Sequence, residues 1–387
     1  MTSPLALYIH WPFCVSKCPY CDFNSHVRAN MDDDAMGEAL LADMAHEAAL
    51  LAGRELGSIF FGGGTPSLMP PTLVARLIDQ ATTYWTPADD IEITLEANPS
   101  SVEAARFSDL AAAGVSRVSL GLQSFEDDAL RFLGRAHGAA EGLAALDMAQ
   151  AHFGRVSFDL IYALPGQTLQ AWEAQLARAL SLGTGHLSLY QLTIEPGTRF
   201  ATDVRRGAFE PMDDDAAADL YALTQERTAA AGLPAYETSN HARAGQESRH
   251  NLTYWRYHDY AGIGPGAHGR RRNLATERHR KPENFLGAVA RNGHGLRSET
   301  ALSRGEQAVE ALLMGLRLTE GVRLDVMASR FGFSEDALID AQAVDRLAGH
   351  GLLLHEESHL ALTEAGRPLL DAILAEVVAV EAEAAPA

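Results

Sequence analysis

The 387-residue chain has only three cysteines, Cys14, Cys18 and Cys21, and they fall within eight residues of one another. An odd, clustered set excludes a disulfide framework, and thiols packed so closely point to a metal or a cluster. Long apolar runs are missing too: none approaches the roughly 18 residues of a membrane span. Residues Met1 to His10 carry neither a basic stretch nor a long apolar one. A signal peptide is therefore not expected, and a cytoplasmic location is, where thiols stay reduced. Positive charge is scarce, with 31 Lys and Arg against 51 Asp and Glu for a formal net charge of −20. A field of that sign opposes general nucleic-acid binding. Apolar residues make up 47% of the chain, which fits a globular protein with a large core.

Six strand-like runs occupy the first half: Leu5–Trp11, Ser58–Phe61, Ile91–Ala97, Arg117–Gln123, Arg155–Ala163 and His186–Thr193. Helical stretches separate them, at Ala35–Ala52, Thr72–Tyr84, Ser101–Ala113, Asp127–Leu133, Ala139–Ala151 and Leu169–Ser181. Strand then helix, six times, predicts an α/β fold with a parallel sheet and helices outside. A closed eight-fold barrel needs two more units, so a partial (β/α)6 barrel over residues 1–200 is expected.

The pattern changes near Glu195. Asp213–Asp215 reads as an acidic turn or helix start before a helix over Ala216–Ala231, and Tyr236–Gly269 is dense in aromatics, His and Gly with no clean period. Residues 201–300 are taken as a separate segment. Residues 301–387 are expected to form a C-terminal domain. It would begin with a helix over Glu306–Leu318 and continue with two helices, a hairpin around Leu352–Leu362 and a final helix capped by Thr363. That order suggests a winged-helix-like module. From Glu320 onward four Arg stand against thirteen Asp and Glu, so partner docking is favoured over DNA binding. The Ala/Glu-rich end after Val380 is expected to fray.

The cysteines form Cys14-Val-Ser-Lys-Cys18-Pro-Tyr-Cys21, directly after the first strand. Three thiolates can hold three irons of a [4Fe-4S] cluster and leave the fourth open to a non-protein ligand. In radical chemistry that ligand is S-adenosylmethionine (SAM). Zinc, with His26 or His10 as a fourth ligand, is the competing reading. Polar groups recur where the strands end: Gly62-Gly63-Gly64-Thr65-Pro66, Glu96-Ala97-Asn98-Pro99, Gln123, Arg135 on the next helix, and Asp159. Each alone could be a turn, a cap or an ion-pair partner, but together they fit a ring around one pocket.

Tyr8-Ile-His10-Trp-Pro-Phe-Cys14, the C-x3-C-x2-C loop, GGGTPS, EANP, GLQS, LGRAH and DLIYALPGQT resemble the radical SAM family of oxygen-independent coproporphyrinogen III oxidase type. The likeness runs from Leu5 to about Arg317. It implies that Tyr8, Tyr20, Gly63, Gly64, Thr65, Glu96, Gln123, Arg135 and Asp159 line a SAM site above a cluster on Cys14, Cys18 and Cys21. Within the family the chain is most similar to the heme-chaperone branch. Phe23 stands where the oxidase branch has a fourth cysteine, and Cys14 lies close to the start, where that branch has an extension. His250-Asn251-Leu-Thr-Tyr254-Trp255 matches the HNxxYW heme motif. The resemblance thus implies binding of heme, its delivery to acceptor hemoproteins such as membrane respiratory enzymes, transient membrane contact and a homodimer. Oxidative decarboxylation of coproporphyrinogen is the alternative function, with SAM cleavage open in either case.

A neutral imidazole is a good heme ligand. On residue type alone, however, His250, Tyr254 and Trp255 read equally as core residues with satisfied hydrogen bonds. Arg270, Arg271, Arg272, Arg278, Arg280 and Lys281 form a basic run with only Glu277 opposing. It reads as a solvated loop, or as a surface for heme propionates or an anionic membrane.

Overall fold

The structure is a computed structural model, and it describes residues 3–28 and 32–380. The expected fray after Val380 lies outside the described residues. One eleven-stranded sheet dominates. Its strands are β1 (Leu5–Trp11), β2 (Glu55–Gly63), β3 (Thr86–Ala97), β4 (Arg117–Gln123), β5 (Arg155–Tyr162), β6 (His186–Gln191), β7 (Asn240–Ala242), β8 (Tyr260–Ile263), β9 (His268–Arg271), β10 (Leu274–Arg278) and β11 (Leu296–Ala301). Their spatial order is β11-β10-β9-β8-β1-β2-β3-β4-β5-β6-β7. The strands from β8 through β1 to β6 pair in parallel, and both flanks of the sheet are antiparallel.

The six expected strand–helix units are all present. Parallel strands covered on both faces become continuous apolar runs; in Leu-Ala-Leu-Tyr-Ile-His-Trp of β1 only Tyr8 is not fully buried. The outer helices show one apolar stripe, as in Pro71–Tyr84, which buries Leu73, Val74, Leu77, Ile78 and Ala81. Caps match the sequence: Asp32 accepts from Ala35 N, Thr168 from Ala171 N, and Asp213 from Asp215 N and Ala216 N. Side chains from β2 to β7 meet around one cavity of about 100 Å3, so the sheet curls about a lumen.

Four expectations need correction. The stretch Ser101–Ala113 is two short helices, Ser101–Ala104 and Phe107–Ala112. Residues 201–300 are not a segment apart. They supply β7 to β11, and Leu220, Leu233, Ala261, Ile263 and Phe285 pack in the same apolar core as β1 to β6. β8 is a seventh parallel strand, paired to the free side of β1. Thr363 does not cap the last helix, Leu370–Val377; its hydroxyl accepts from Gly366 N and donates to the Gly351 carbonyl, closing the turn after the hairpin. A second apolar core unites Tyr257, the helix Arg304–Gly315 and the C-terminal elements. There the expected hairpin, Leu353–Glu356 with His359–Leu362, pairs with Val322–Arg323 in a three-stranded sheet.

Candidate cluster and SAM site

The loop after β1 is held by a short parallel pairing of Phe13–Cys14 with His26–Val27. All three cysteine side chains are half-buried and free. Thr65 Oγ1 donates to Cys14 Sγ at 3.3 Å, and Arg135 Nη1 donates to Cys18 Sγ at 3.5 Å. Asn98 links these donors: its Nδ2 donates to Thr65 Oγ1 at 3.1 Å, and its Oδ1 accepts from Arg135 Nη2 at 2.6 Å. Asn98 lies in the EANP run at the end of β3, whose sequence does not reveal what its side chain binds. A terminal amide between two unrelated strand ends gives no signal until the fold brings them together.

The glycines of β2 pass under the loop. Gly64 N donates to Trp11 O at 2.7 Å and Thr65 N to Phe13 O at 2.8 Å. A Cβ on Gly63, where φ is +115°, would stand 2.6 Å from the His10 ring; one on Gly64 would stand 2.6 Å from the Phe13 carbonyl oxygen. Only glycine permits that approach. At the end of β4, Gln123 has φ 67° although it is not glycine. Its Oε1 and Arg135 Nε are buried without a hydrogen-bond partner. Strained backbone and unpaired buried polar atoms gather at functional sites. Tyr20 packs with Leu133, Ile161, Leu164 and Phe200 beside this group.

Deeper in the lumen, Glu96 Oε2 accepts from Gly63 N at 3.2 Å, and Asp159 Oδ1 accepts from Ser119 Oγ at 3.2 Å. Burial, then the charge of Asp159, pushes Glu96 up to about 8. Burial pushes Asp159 up to about 6, against hydrogen bonds from Ser188 and Ser119. Arg117, 3% exposed, lines the same cavity and supplies its positive charge. Tyr8 donates to His10 Nδ1 at 2.9 Å, because His10 Nε2 faces the Asn24 carbonyl. Both His10 nitrogens are thereby used, which leaves none for a zinc ion.

Of the HNxxYW residues, His250, Asn251 and Tyr254 turn toward this lumen and Trp255 does not. Helix Arg249–Trp255 turns His250 inward, 1% exposed, with Nδ1 at 3.1 Å from Ser58 Oγ and Nε2 at 2.6 Å from Tyr254 Oη. Its ring stacks on Phe60 at 4.8 Å and lies 6.1 Å from the Tyr8 ring. Burial, with the charge of Arg117, lowers its pKa to about 3, so it is neutral. Asn251 lines the cavity shared with Glu96 and Asp159. Trp255 lies under the Arg317 guanidinium at 4.7 Å. Outside the helix, a second cavity of about 470 Å3 is lined by Arg249, Leu252, Arg256 and Leu318 among others.

The basic run is not a solvated loop. Arg270 sits 3.6 Å over the Tyr257 ring and donates to the His258 carbonyl. Arg271 pairs with Glu47 and Glu299, and Arg278 with Asp43 and Glu47 of the first helix. Only Arg272, Arg280 and Lys281 of the set are exposed, because the antiparallel strands carry Arg271 and Arg278 under helix Asp33–Leu50 and turn Arg270 to the opposite face, against Tyr257 and Tyr260.

The donor set fits an iron–sulfur cluster: thiols only, at the C-terminal mouth of a parallel sheet, with hydrogen-bond donors aimed at two sulfurs. Among the described residues no three His, Cys, Asp or Glu side chains are grouped so as to hold one metal ion. In a four-iron cluster each thiolate has its own iron, so such convergence is not required. No helix among the described residues is long and apolar enough to cross a membrane.

The Radical SAM superfamily profile matches residues 8–178, and the HemN C-terminal domain profile matches residues 302–369. The heme chaperone HemW of Escherichia coli is 39% identical over 96% of this chain and 97% of its own. HemW of Bacillus subtilis is 36% identical over 94% and 96%. The mouse protein called radical S-adenosyl methionine domain-containing protein 1, mitochondrial, is 39% identical over 95% and 86%. The solved E. coli coproporphyrinogen III oxidase HemN superposes with a TM-score of 0.83 at 24% identity, over 97% of this chain and 90% of that one, a likeness of fold. With relatives matched over nearly their whole length, this chain belongs to the HemW family of the radical SAM superfamily.

Proposed function

We propose that this chain is a heme chaperone, which binds heme and passes it to acceptor hemoproteins on a [4Fe-4S]/SAM scaffold. The observation that carries this reading is its 39% identity to a heme chaperone over 96% of this chain and 97% of that one. Cys14, Cys18 and Cys21 hold the cluster. Gly63, Gly64 and Thr65 receive the methionine end of SAM; Gln123, Arg135 and Asp159 meet its polar groups; Tyr8, Tyr20 and Glu96 complete the wall. The cluster supplies the electron for reductive SAM cleavage if that step occurs, and these residues orient SAM and exclude water.

Heme binds at the His250–Trp255 segment. Ligand clefts measure roughly 300–1,000 Å3, so a lumen of about 100 Å3 does not admit a porphyrin. Heme therefore approaches the helix from outside, where the cavity of about 470 Å3 lies. His250 faces β2 and does not line that cavity, so for its Nε2 to reach iron the Tyr254 hydroxyl must release it and the ring must turn outward. A cytoplasmic location with transient membrane contact, and a homodimer, belong to the same reading.

The test is anaerobic reconstitution, followed by heme titration by absorption and by a coproporphyrinogen assay with SAM and reductant. Saturable heme binding without coproporphyrinogen conversion is expected. Conversion at enzymic rates would replace this function with that of the oxidase.

A further inference from the structure

The cysteine loop has few apolar anchors of its own: Val15 is 73% exposed and Phe23 is 61% exposed. Besides the short Phe13–Cys14 pairing, the bonds of Thr65 to Cys14 and Arg135 to Cys18, and a bond from Phe200 N to the Pro19 carbonyl at 3.0 Å, it is held past Cys21 through Asn24, three residues on. Asn24 Nδ2 donates to the Pro265 carbonyl at 2.8 Å and to the Arg280 carbonyl at 2.9 Å, 241 and 256 residues along the chain. The Asn24 carbonyl accepts from His10 Nε2 at 2.9 Å. One residue thus ties the loop to β1, to the turn between β8 and β9 and to the segment that follows β10.

The receiving turn is shaped for that side chain. Gly266 has φ +82°, and a Cβ there would stand 2.3 Å from Asn24 Nδ2. Gly264 has φ +95°, and a Cβ there would stand 2.4 Å from the His10 carbonyl oxygen. The turn is itself fixed: Asp43 accepts from Gly264 N at 3.2 Å and is bound to the buried Arg278. On its other face the His10 ring packs against Gly63, where the glycine turn passes beneath Cys14.

We propose that Asn24, clamped between His10 and the Pro265 and Arg280 carbonyls, is the positioning residue that holds the three-cysteine loop in register for its cluster. This role presupposes that the thiols bind a cluster. Three thiolates must reach three irons at set separations; Tyr20 anchors the Cys18 side of the loop beside Phe200, whereas past Cys21, where Phe23 is exposed, the spacing depends on directional bonds. Loss of the Asn24 bonds leaves the fold's core intact but frees Cys21 to sample geometries the cluster does not accept.

The test compares the parent, Asn24→Ala and Gly266→Ala after anaerobic reconstitution. The readouts are iron and sulfide per chain, paramagnetic resonance of the reduced cluster, the rate of cluster loss in air, and melting of the cluster-free chains. In both variants cluster loss should be about ten-fold faster or loading at least halved, with an altered resonance. The cluster-free chains should melt within a few degrees of the parent. An Asn24→Ala chain with parental loading, resonance and loss rate would overturn the role. So would a cluster-free Asn24→Ala chain that melts far below the parent, since Asn24 would then serve the fold at large. A parent that takes up no iron–sulfur cluster would remove the reading of the thiols, and this role with it.

Discussion

Two polar clusters in this fold are built on opposite terms. Around Arg278 every bond is closed. Its Nε donates to Asp43 at 3.2 Å, Nη1 to Thr276 at 3.0 Å and Nη2 to Glu47 at 2.6 Å, while Asp43 also accepts from Gly264 N and Gly295 N. At the mouth of the sheet the bonds are left open. Gln123 Oε1 and Arg135 Nε have no partner, and the thiols are half-exposed. A buried network satisfied within the chain fastens the fold to itself; one left incomplete is prepared for something from outside. Both contain arginine and carboxylate, so composition alone does not tell them apart.

The sharpest way to break this contrast is to remove the thiols. Replacing Cys14, Cys18 and Cys21 with Ser should reduce bound iron from about four per chain to almost none. Denaturant unfolding of the cluster-free chain should stay within about 1 kcal/mol of the parent. Arg278→Ala should do the reverse. Leaving buried Asp43 without its cation, and Glu47 with Arg271 alone, should cost about 3–5 kcal/mol, read from the urea midpoint.

The open site also carries a pH signature. Burial raises Glu96 to about 8 and Asp159 to about 6, so the folded chain binds more protons than the unfolded chain between the ordinary carboxylate range and those values. The share of stability these two groups contribute to the cluster-free chain should therefore fall as pH rises from about 4.5 to 8, by at most about 1.4 kcal/mol per pH unit for each group. Buried neutral histidines such as His250 act the other way below about 6.5, so in the whole chain the fall shows above that pH. Glu96→Gln should flatten the fall between about pH 6.5 and about pH 8; melting of parent and variant at those two values checks it. His250→Ala strands Ser58 and the Tyr254 hydroxyl and should cost about 1–3 kcal/mol. It should also weaken heme binding, which absorption titration reads. The smallest effect belongs to the exposed end of the basic run. Arg272, Arg280 and Lys281 changed singly to Gln should each alter unfolding free energy by no more than about 0.5 kcal/mol. Arg271→Gln, which strips the buried Glu47 of a partner, should cost several-fold more.

The parts legible in the sequence are those whose signal is local. A buried parallel strand writes itself as a run such as Leu5–Trp11, and three cysteines within eight residues need no fold to be noticed. The rest depends on partners far along the chain. β8 is only Tyr-Ala-Gly-Ile, too short and too small to read as a strand, yet it pairs with the free side of β1. Arg271 and Arg278 look solvated because Asp43 and Glu47, which neutralise them, lie more than 200 residues earlier. His250 was legible as a candidate ligand, but its inward direction follows from the packing of its helix against β2, where Ser58 and Phe60 receive it.

The most direct test of the open mouth is metal and sulfide analysis of the chain reconstituted without oxygen. About four irons and four sulfides per chain, lost with the triple Cys→Ser substitution, is the result expected here. Stoichiometric zinc held by the same three thiols, with no iron or sulfide taken up, would contradict it.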